Sequence, residues 1–417
     1  MQGRDPLFDL LSLAPLHALW TTGPVPSSHH GTRWWRRVAV DEVYNAPVLP
    51  PTPAITSPPA ISLRASLLAV LLGVMSASCR NGGGTNGAET MDDPVRHTPA
   101  AASAGDKEIA ITIDDVPFAG WPNTIEAVDR VTDALLQEFS SRGIPVVSFV
   151  NEHLLKVTGE VERRTTILRR WSEVTELGNH TYSHLGFRKE VALDDYWQDI
   201  VRGDTVSKAL VESQGKALRY FRHPYLRMGE TRELEMKLEE RLAGRGYRIA
   251  PVSVDLDDWM FGPAYREARA QGDEELARRV ATEFLRHSEA MMEYCERTSV
   301  QLLGYQMKHI LLLHADQLLA DTFGELMAML QRRGYRTITL HRALEDPAYR
   351  YPETYVADAY WLTQIAHARG KELAFPKEAR FVLALYEQGK ERRRAARQSE
   401  TNEKKGEKGE KGTGLEN

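Results

Sequence analysis

Residues 109–115, IAITIDD, form an apolar, β-branched run of strand length that stops on two adjacent aspartates. Runs of the same character recur at 146–151, 174–178, 218–222, 249–254, 310–313 and 337–340. Most are separated by segments with helical periodicity, at 127–142, 196–214, 231–244 and 320–333, the last ending on the helix-stop phrase RRGY. Strands alternating with helices predict an α/β fold with a parallel sheet. Seven such strands predict a distorted (β/α)7 barrel, with an open doubly wound sheet as the alternative. Residues 265–308, rich in Ala, Glu, Arg and Met, exceed what one crossover needs and read as a helical insertion; 346–390 reads as a C-terminal helical extension.

Outside this core the chain changes character. Residues 1–62 hold ten of the 21 prolines and no sustained apolar pattern, so they are expected to be disordered and to lie upstream of the true start of translation. Residues 63–79, LRASLLAVLLGVMSASC, have the short apolar core and small-residue end of a secretory signal, too short to span a bilayer stably. Cys79 at its end resembles the lipidation site of bacterial lipoproteins, with Ser76 where that family prefers Leu. Residues 80–106 read as a flexible tether and 391–417 as a disordered charged tail. The expected location is the exported bacterial cell envelope, membrane-anchored through Cys79 and facing the periplasm or exterior.

Composition narrows the function further. The 53 Lys and Arg against 58 Asp and Glu leave a net charge of −5, which argues against nucleic acid as a partner. The two cysteines, Cys79 and Cys295, offer no CxxC pair, so any metal must be held by His and carboxylates. A monomer is expected.

Catalytic groups of such barrels sit at the C-terminal strand ends. Here those ends carry Asp114 and Asp115; His180 and His184 in GNHTYSH; Arg222 and Tyr225 in FRHPY; Asp255, Asp258 and Trp259 in VDLDDW; and His314 in ILLLHAD. Each has a structural reading by itself: aspartates cap turns, HxxxH without a neighbouring Glu is a weak zinc signal, an Arg makes an ion pair, a lone His sits in a core. Their recurrence at five strand ends is what points to a site.

The order of these motifs resembles the polysaccharide deacetylases of carbohydrate esterase family four, the NodB homology domain, over residues 107–345. The family's TFDD or TYDD motif falls on Thr112–Asp115 with Ile113 in place of the aromatic residue. Its H-S/T-x-x-H motif falls on His180, Thr181 and His184, and RxPY on Arg222, Pro224 and Tyr225. DxxDW falls on Asp255, Asp258 and Trp259, and the leucine-histidine motif on Leu312 and His314.

The resemblance implies a metal-dependent hydrolase that removes acetyl groups from an N-acetylated polysaccharide, peptidoglycan or a chitin-like polymer. Asp115, His180 and His184 would hold a divalent ion, Zn2+ foremost, with Co2+, Ni2+ or Mn2+ also suited. Asp114 would be the general base, held by Arg222, and His314 the general acid, oriented by Asp258. The backbone N–H of Tyr225 would stabilise the oxyanion, and Leu312 and Trp259 would receive the acetyl methyl. Two other functions remain open on the sequence: an esterase acting on O-acetylated xylan, and an inactive glycan-binding envelope lipoprotein.

Overall fold

The computed structural model of the protein describes residues 107–121, 123–350 and 360–412. The expectations for residues 1–106, Cys79 included, and for residues 413–417 lie outside them.

The sheet is parallel throughout and built on β1 (Lys107–Val116). In chain order it adds β2 (Val146–Val150), β3 (Glu176–Asn179), β4 (Tyr220–Phe221), β5 (Arg248–Ile249), β6 (Val254–Asp255), β7 (His309–His314) and β8 (Tyr335–Ile338). The hydrogen-bonded order is β5-β4-β3-β2-β1-β7-β6, with β8 on β1. Its two ends, β5 and β6, belong to one stretch of chain. The Ala250 N–H donates to Phe221 O at 2.8 Å and the Ser253 N–H to Ile310 O at 3.1 Å, so residues 248–255 lean first on β4 and then on β7. The sheet thereby curls into a distorted (β/α)7 barrel rather than an open doubly wound sheet. Pro251, which has no N–H to donate, sits at the changeover. The single strand expected at 249–254 is accordingly two short ones.

Side chains alternate between two apolar layers, as a strand requires. Ile109, Ile111, Ile113, Leu311 and Leu313 face the helices. Ala110, Val147, Phe149, Tyr220, Ile310 and Ile338 fill the barrel. Ile113, where the aromatic residue was expected, therefore points away from the barrel interior. The same parity turns Thr112, Asp114, Leu312 and His314 inward.

Helices cover the outside. The first, α1 (Ile125–Arg142), shows how the sequence builds them: Thr124 accepts the Ala127 N–H at its start, Gly143 ends it at φ 62°, and Val128, Val131, Leu135 and Phe139 make its buried stripe. Next come α2 (Val161–Val174), absent from the sequence reading, then α3 (Leu193–Arg202) and α4 (Thr205–Ser213). The latter pair replaces the single helix expected at 196–214. The break falls at Gly203, where a Cβ would stand 2.5 Å from the Thr181 carbonyl carbon and the Tyr182 nitrogen. Chain order then gives α5 (Arg232–Gly244), α6 (Asp258–Ala270), α7 (Glu274–Leu303), α8 (Gln317–Arg332) and α9 (Leu340–Ala343). The expected helical insertion is α6 and α7.

The C-terminal part is helical, with α10 (Trp361–Ala368) and α11 (Arg380–Gly412). Trp361 is buried and its indole N–H donates to Ala348 O at 2.9 Å. Residues 391–412, expected to form a disordered tail, continue α11. Val382, Leu385, Tyr386 and Gly389 run along one face of α11, Gly389 lies against Pro263 and Glu267 of α6, and Arg392 pairs with Glu267 at 2.8 Å. Apolar count alone misses such a helix, because a glycine and long charged side chains complete its contact face.

Replacing Gly203 with Ala should lower thermal stability by about 1–3 kcal/mol, because the new methyl meets backbone rather than a yielding side chain. It should also reduce metal binding, since that backbone carries His180 and His184. Calorimetry and elemental analysis of the variant check both.

Candidate active site

Asp114 and Asp115 are adjacent on β1, and a regular strand would send them to opposite faces. The chain avoids this with a bulge: Ile113 pairs with Ser148 and Val116 with Val150, so three steps on β1 match two on β2. Asp115 takes φ 60°, in the left-handed region. Both carboxylates thus reach the site and both are buried.

The histidine loop converges by a similar device. Residues 180–184 are not helical; Thr181 and His184 have φ of 63° and 58°. Asn179 Oδ1 accepts the Thr181 N–H at 2.8 Å, and Asn151 Nδ2 donates to the carbonyls of His180 and Thr181 at 2.6 and 3.3 Å. The two imidazoles end with centroids 5.0 Å apart.

Asp115, His180 and His184 each offer a ligand atom within 4.8 Å of the others. His184 Nε2 lies 3.3 Å and His180 Nε2 3.7 Å from Asp115 Oδ1. Ligands about 2.0–2.1 Å from a tetrahedral ion stand about 3.3 Å apart, so the spacing fits a zinc-sized cation. The chemistry of the donors fits as well. His180 donates through Nδ1 to the Arg222 carbonyl at 2.8 Å, which leaves its Nε2 lone pair facing the site. Burial, with His180, His153 and His314 nearby, holds His184 well below its ordinary pKa, in the neutral form a metal needs. Both Asp115 oxygens are buried with no hydrogen-bond donor. Burial pushes the Asp115 carboxyl up, against the pull of His314 and His180. A cation would supply the partner this carboxylate otherwise lacks.

Asp114 is held from inside the barrel. Arg222, fully buried, donates through one nitrogen to Asp114 Oδ1 at 2.8 Å and to Thr112 Oγ1 at 2.6 Å, while its Nε donates to Ala250 O at 3.2 Å. The guanidinium also lies over the Phe149 ring, 4.3 Å from its centroid. Asp114 Oδ2 is left 3.5 Å from His180 Nε2.

His314 ends β7 beside the start of α6. Its Nδ1 meets Asp258 Oδ1 at 2.8 Å, and its backbone N–H donates to Asp258 Oδ2 at 2.6 Å. Burial lowers the imidazole pKa, but Asp258, Asp115 and Asp114 outweigh it and push the value up to about 10.

The remaining expected residues surround these groups. Tyr225 has φ 58° and its ring packs edge-on against His184 at 4.4 Å between centroids. Leu312 is buried on the inward face of β7, next to Thr112 in register. Trp259 is half-buried and meets Tyr386 of α11 edge-on at 5.8 Å. Asp255 accepts the Asp257 N–H at 2.8 Å. Sequence reasoning missed Thr112, Asn151, Asp257 and Tyr386. Alternation along β1 could have singled out Thr112, which is inward with Asp114; the others depend on contacts between distant segments.

Residues 101–241 match the family model described as polysaccharide deacetylase. No curated protein matches the chain. Among solved structures the chain is similar to a CE4 family pseudoenzyme from Bacillus anthracis, at 14% identity over 58% of this chain and 66% of that one, with a TM-score of 0.38. It is also similar to the chitin deacetylase of the fungal pathogen Colletotrichum lindemuthianum, at 20% identity over 61% and 94%, TM-score 0.38. A third is the Bacillus subtilis family 4 carbohydrate esterase PdaA, at 19% identity over 58% and 83%, TM-score 0.34.

Elemental analysis should find the bound divalent ion lost in Asp115→Ala and His180→Ala and kept in Asp114→Asn. Zinc retained at full stoichiometry in both ligand variants would show that other residues hold it.

Proposed function

We propose that this chain, which belongs to the polysaccharide deacetylase family through residues 101–241, is a metal-dependent hydrolase releasing acetate from an N-acetylated polysaccharide. One observation carries the reading: the Asp115, His180 and His184 cluster is flanked by a carboxylate held by an arginine and an imidazole held by a carboxylate. Amide hydrolysis needs one group to take a proton from water and another to give one to the leaving amine.

A divalent ion on Asp115, His180 and His184 supplies, when bound, polarisation of the acyl carbonyl and acidification of water; zinc suits the donor set best, and Co2+, Ni2+ or Mn2+ also fit. Asp114 takes the proton from the attacking water through Oδ2, because Arg222 occupies Oδ1. His314 delivers a proton to the leaving nitrogen through Nε2, because Nδ1 is committed to Asp258. The backbone N–H of Tyr225 is the donor for the developing oxyanion. Leu312 and Trp259 form the apolar wall for the acetyl methyl.

An N-acetylated polymer outside the cytoplasm, peptidoglycan or a chitin-like chain, is the proposed substrate. It accords with export and lipid anchoring through Cys79. Changing Cys79 to Ser should release the protein from membranes, and unchanged fractionation with membranes would end the anchoring proposal.

Acetate release should be measured on chito-oligosaccharides, peptidoglycan fragments and acetylated xylan, with zinc added and then chelated. Metal-dependent release from an N-acetylated glycan is expected; release from xylan alone would make the protein an esterase, and glycan binding without release would make it a binding lipoprotein. Asp114→Asn should cost about 10²–10⁴-fold in turnover. Asp258→Asn should move the alkaline limb of the pH profile to lower pH. The acid works while protonated, Asp258 raises the pKa at which it loses that proton, and its removal brings the loss earlier.

A further inference from the structure

We propose that His287, on the long insertion helix α7, is a positioning residue for the general acid: it holds the carboxylate of Asp257, and the left-handed turn at Asp257 presents Asp258 to His314. The proposal rests on the reading of His314 as the acid.

α7 runs for 30 residues and lies outside the segment that matches the family model. Its buried face includes Phe284, His287, Ser288, Met291, Met292 and Cys295, and His287 is the one imidazole on it. His287 is 1% exposed and its Nε2 donates to Asp257 Oδ2 at 3.0 Å. Phe261 of α6 packs against the imidazole at 5.3 Å between centroids, and Phe284 packs against Phe261 at 5.6 Å.

Asp257 is the residue that needs holding. It precedes α6 at φ 58°, ψ 22°, a conformation disfavoured for a residue with a Cβ. Its N–H donates to Asp255 Oδ1 at 2.8 Å and its carbonyl accepts from Met260 and Phe261 at 2.9 and 3.2 Å. These bonds shape the turn, and His287 satisfies the buried carboxylate. The next residue is Asp258, whose two oxygens meet the His314 backbone N–H and Nδ1. Without the imidazole donor, the Asp257 carboxylate must turn toward water, and rotation of that residue displaces its neighbour. The other titratable groups around the pair are Asp255, Glu283 and Cys295 of α7, and Glu378 between α10 and α11. None of them lies between Asp258 and His314, which are in direct hydrogen-bond contact.

The test uses the zinc-loaded full chain with His287→Leu, His287→Gln, Asp257→Gly and the double variant Asp257→Gly/His287→Leu. Two readouts are followed: the pH profile of acetate release from N-acetylated chito-oligosaccharides, and the titration of the His314 imidazole by histidine-selective NMR. His287→Leu should lose about ten- to a hundredfold in kcat with KM unchanged, and its His314 should titrate at lower pH. His287→Gln, which keeps an N–H donor, should recover most of both. Asp257→Gly adopts the left-handed turn without a clamp, so the double variant should resemble the native protein, and it keeps the test open if His287→Leu alone does not fold. In an Asp258→Asn background His287→Leu should cost no more than twofold further. A folded His287→Leu with native kcat and native His314 titration would overturn the proposal, as would a double variant impaired as His287→Leu is. If the native protein releases acetate from no glycan, the deacetylase reading fails, and the His314 titration still decides this inference.

Discussion

A strand cannot aim two consecutive side chains at one point, and this chain must do so at Asp114 and Asp115. The bulge in β1 and the left-handed conformation of Asp115 solve the problem locally. The same device recurs around the rim. Among the described residues, six non-glycine positions have positive φ: Asp115, Thr181, His184, Tyr225, Leu226 and Asp257. All lie at the C-terminal mouth of the barrel, at the end of β1 or in the loops that carry the proposed histidine ligands, the oxyanion donor and the proposed acid's partner Asp258. Each such position costs about 1–3 kcal/mol, so the surrounding contacts must over-determine it. The conformations persist because buried side chains clamp them: Asn151 and Asn179 on the histidine loop, His287 on Asp257.

Charge is buried in pairs along the same mouth. Arg222 with Asp114 and His314 with Asp258 each place an ionisable group inside the protein with its counter-charge within 2.8 Å. Breaking such a pair leaves an uncompensated buried charge, which is far costlier than the pair is worth. Asp115 stands apart in having buried oxygens and no donor. This asymmetry separates a carboxylate suited to a cation from one suited to a proton, although the two are neighbours in sequence.

The helices outside the matched segment are tied to the site as well. α6 begins at Asp258, α7 reaches back through His287, and α11 lies along α6 with Tyr386 against Trp259. The insertion and the C-terminal extension therefore pack on the element that carries Asp258, the partner of His314.

Much of this was legible in the sequence, because it depends on short-range pattern. Alternating apolar runs and helical stripes located the strands and most of the crossover helices, and the polar residues at strand ends followed from the chain stopping there. The residues proposed as metal donors and as proton-transfer groups were readable as residue types at those ends. Three things were not. The division of 249–254 between two sheet edges follows from barrel closure, which brings β4 and β7 to the same segment. The break at Gly203 follows from the histidine loop lying against it, a contact across some twenty residues of chain that no local propensity records. Asn151, Asp257 and His287 acquire their partners only when distant elements meet. Sequence pattern determined which chemistry the strand ends could carry; closure of the barrel, and the helices packed on its mouth, decided which atoms face each other, because hydrogen bonds act over a few ångströms and adjacency in space is set by the whole fold.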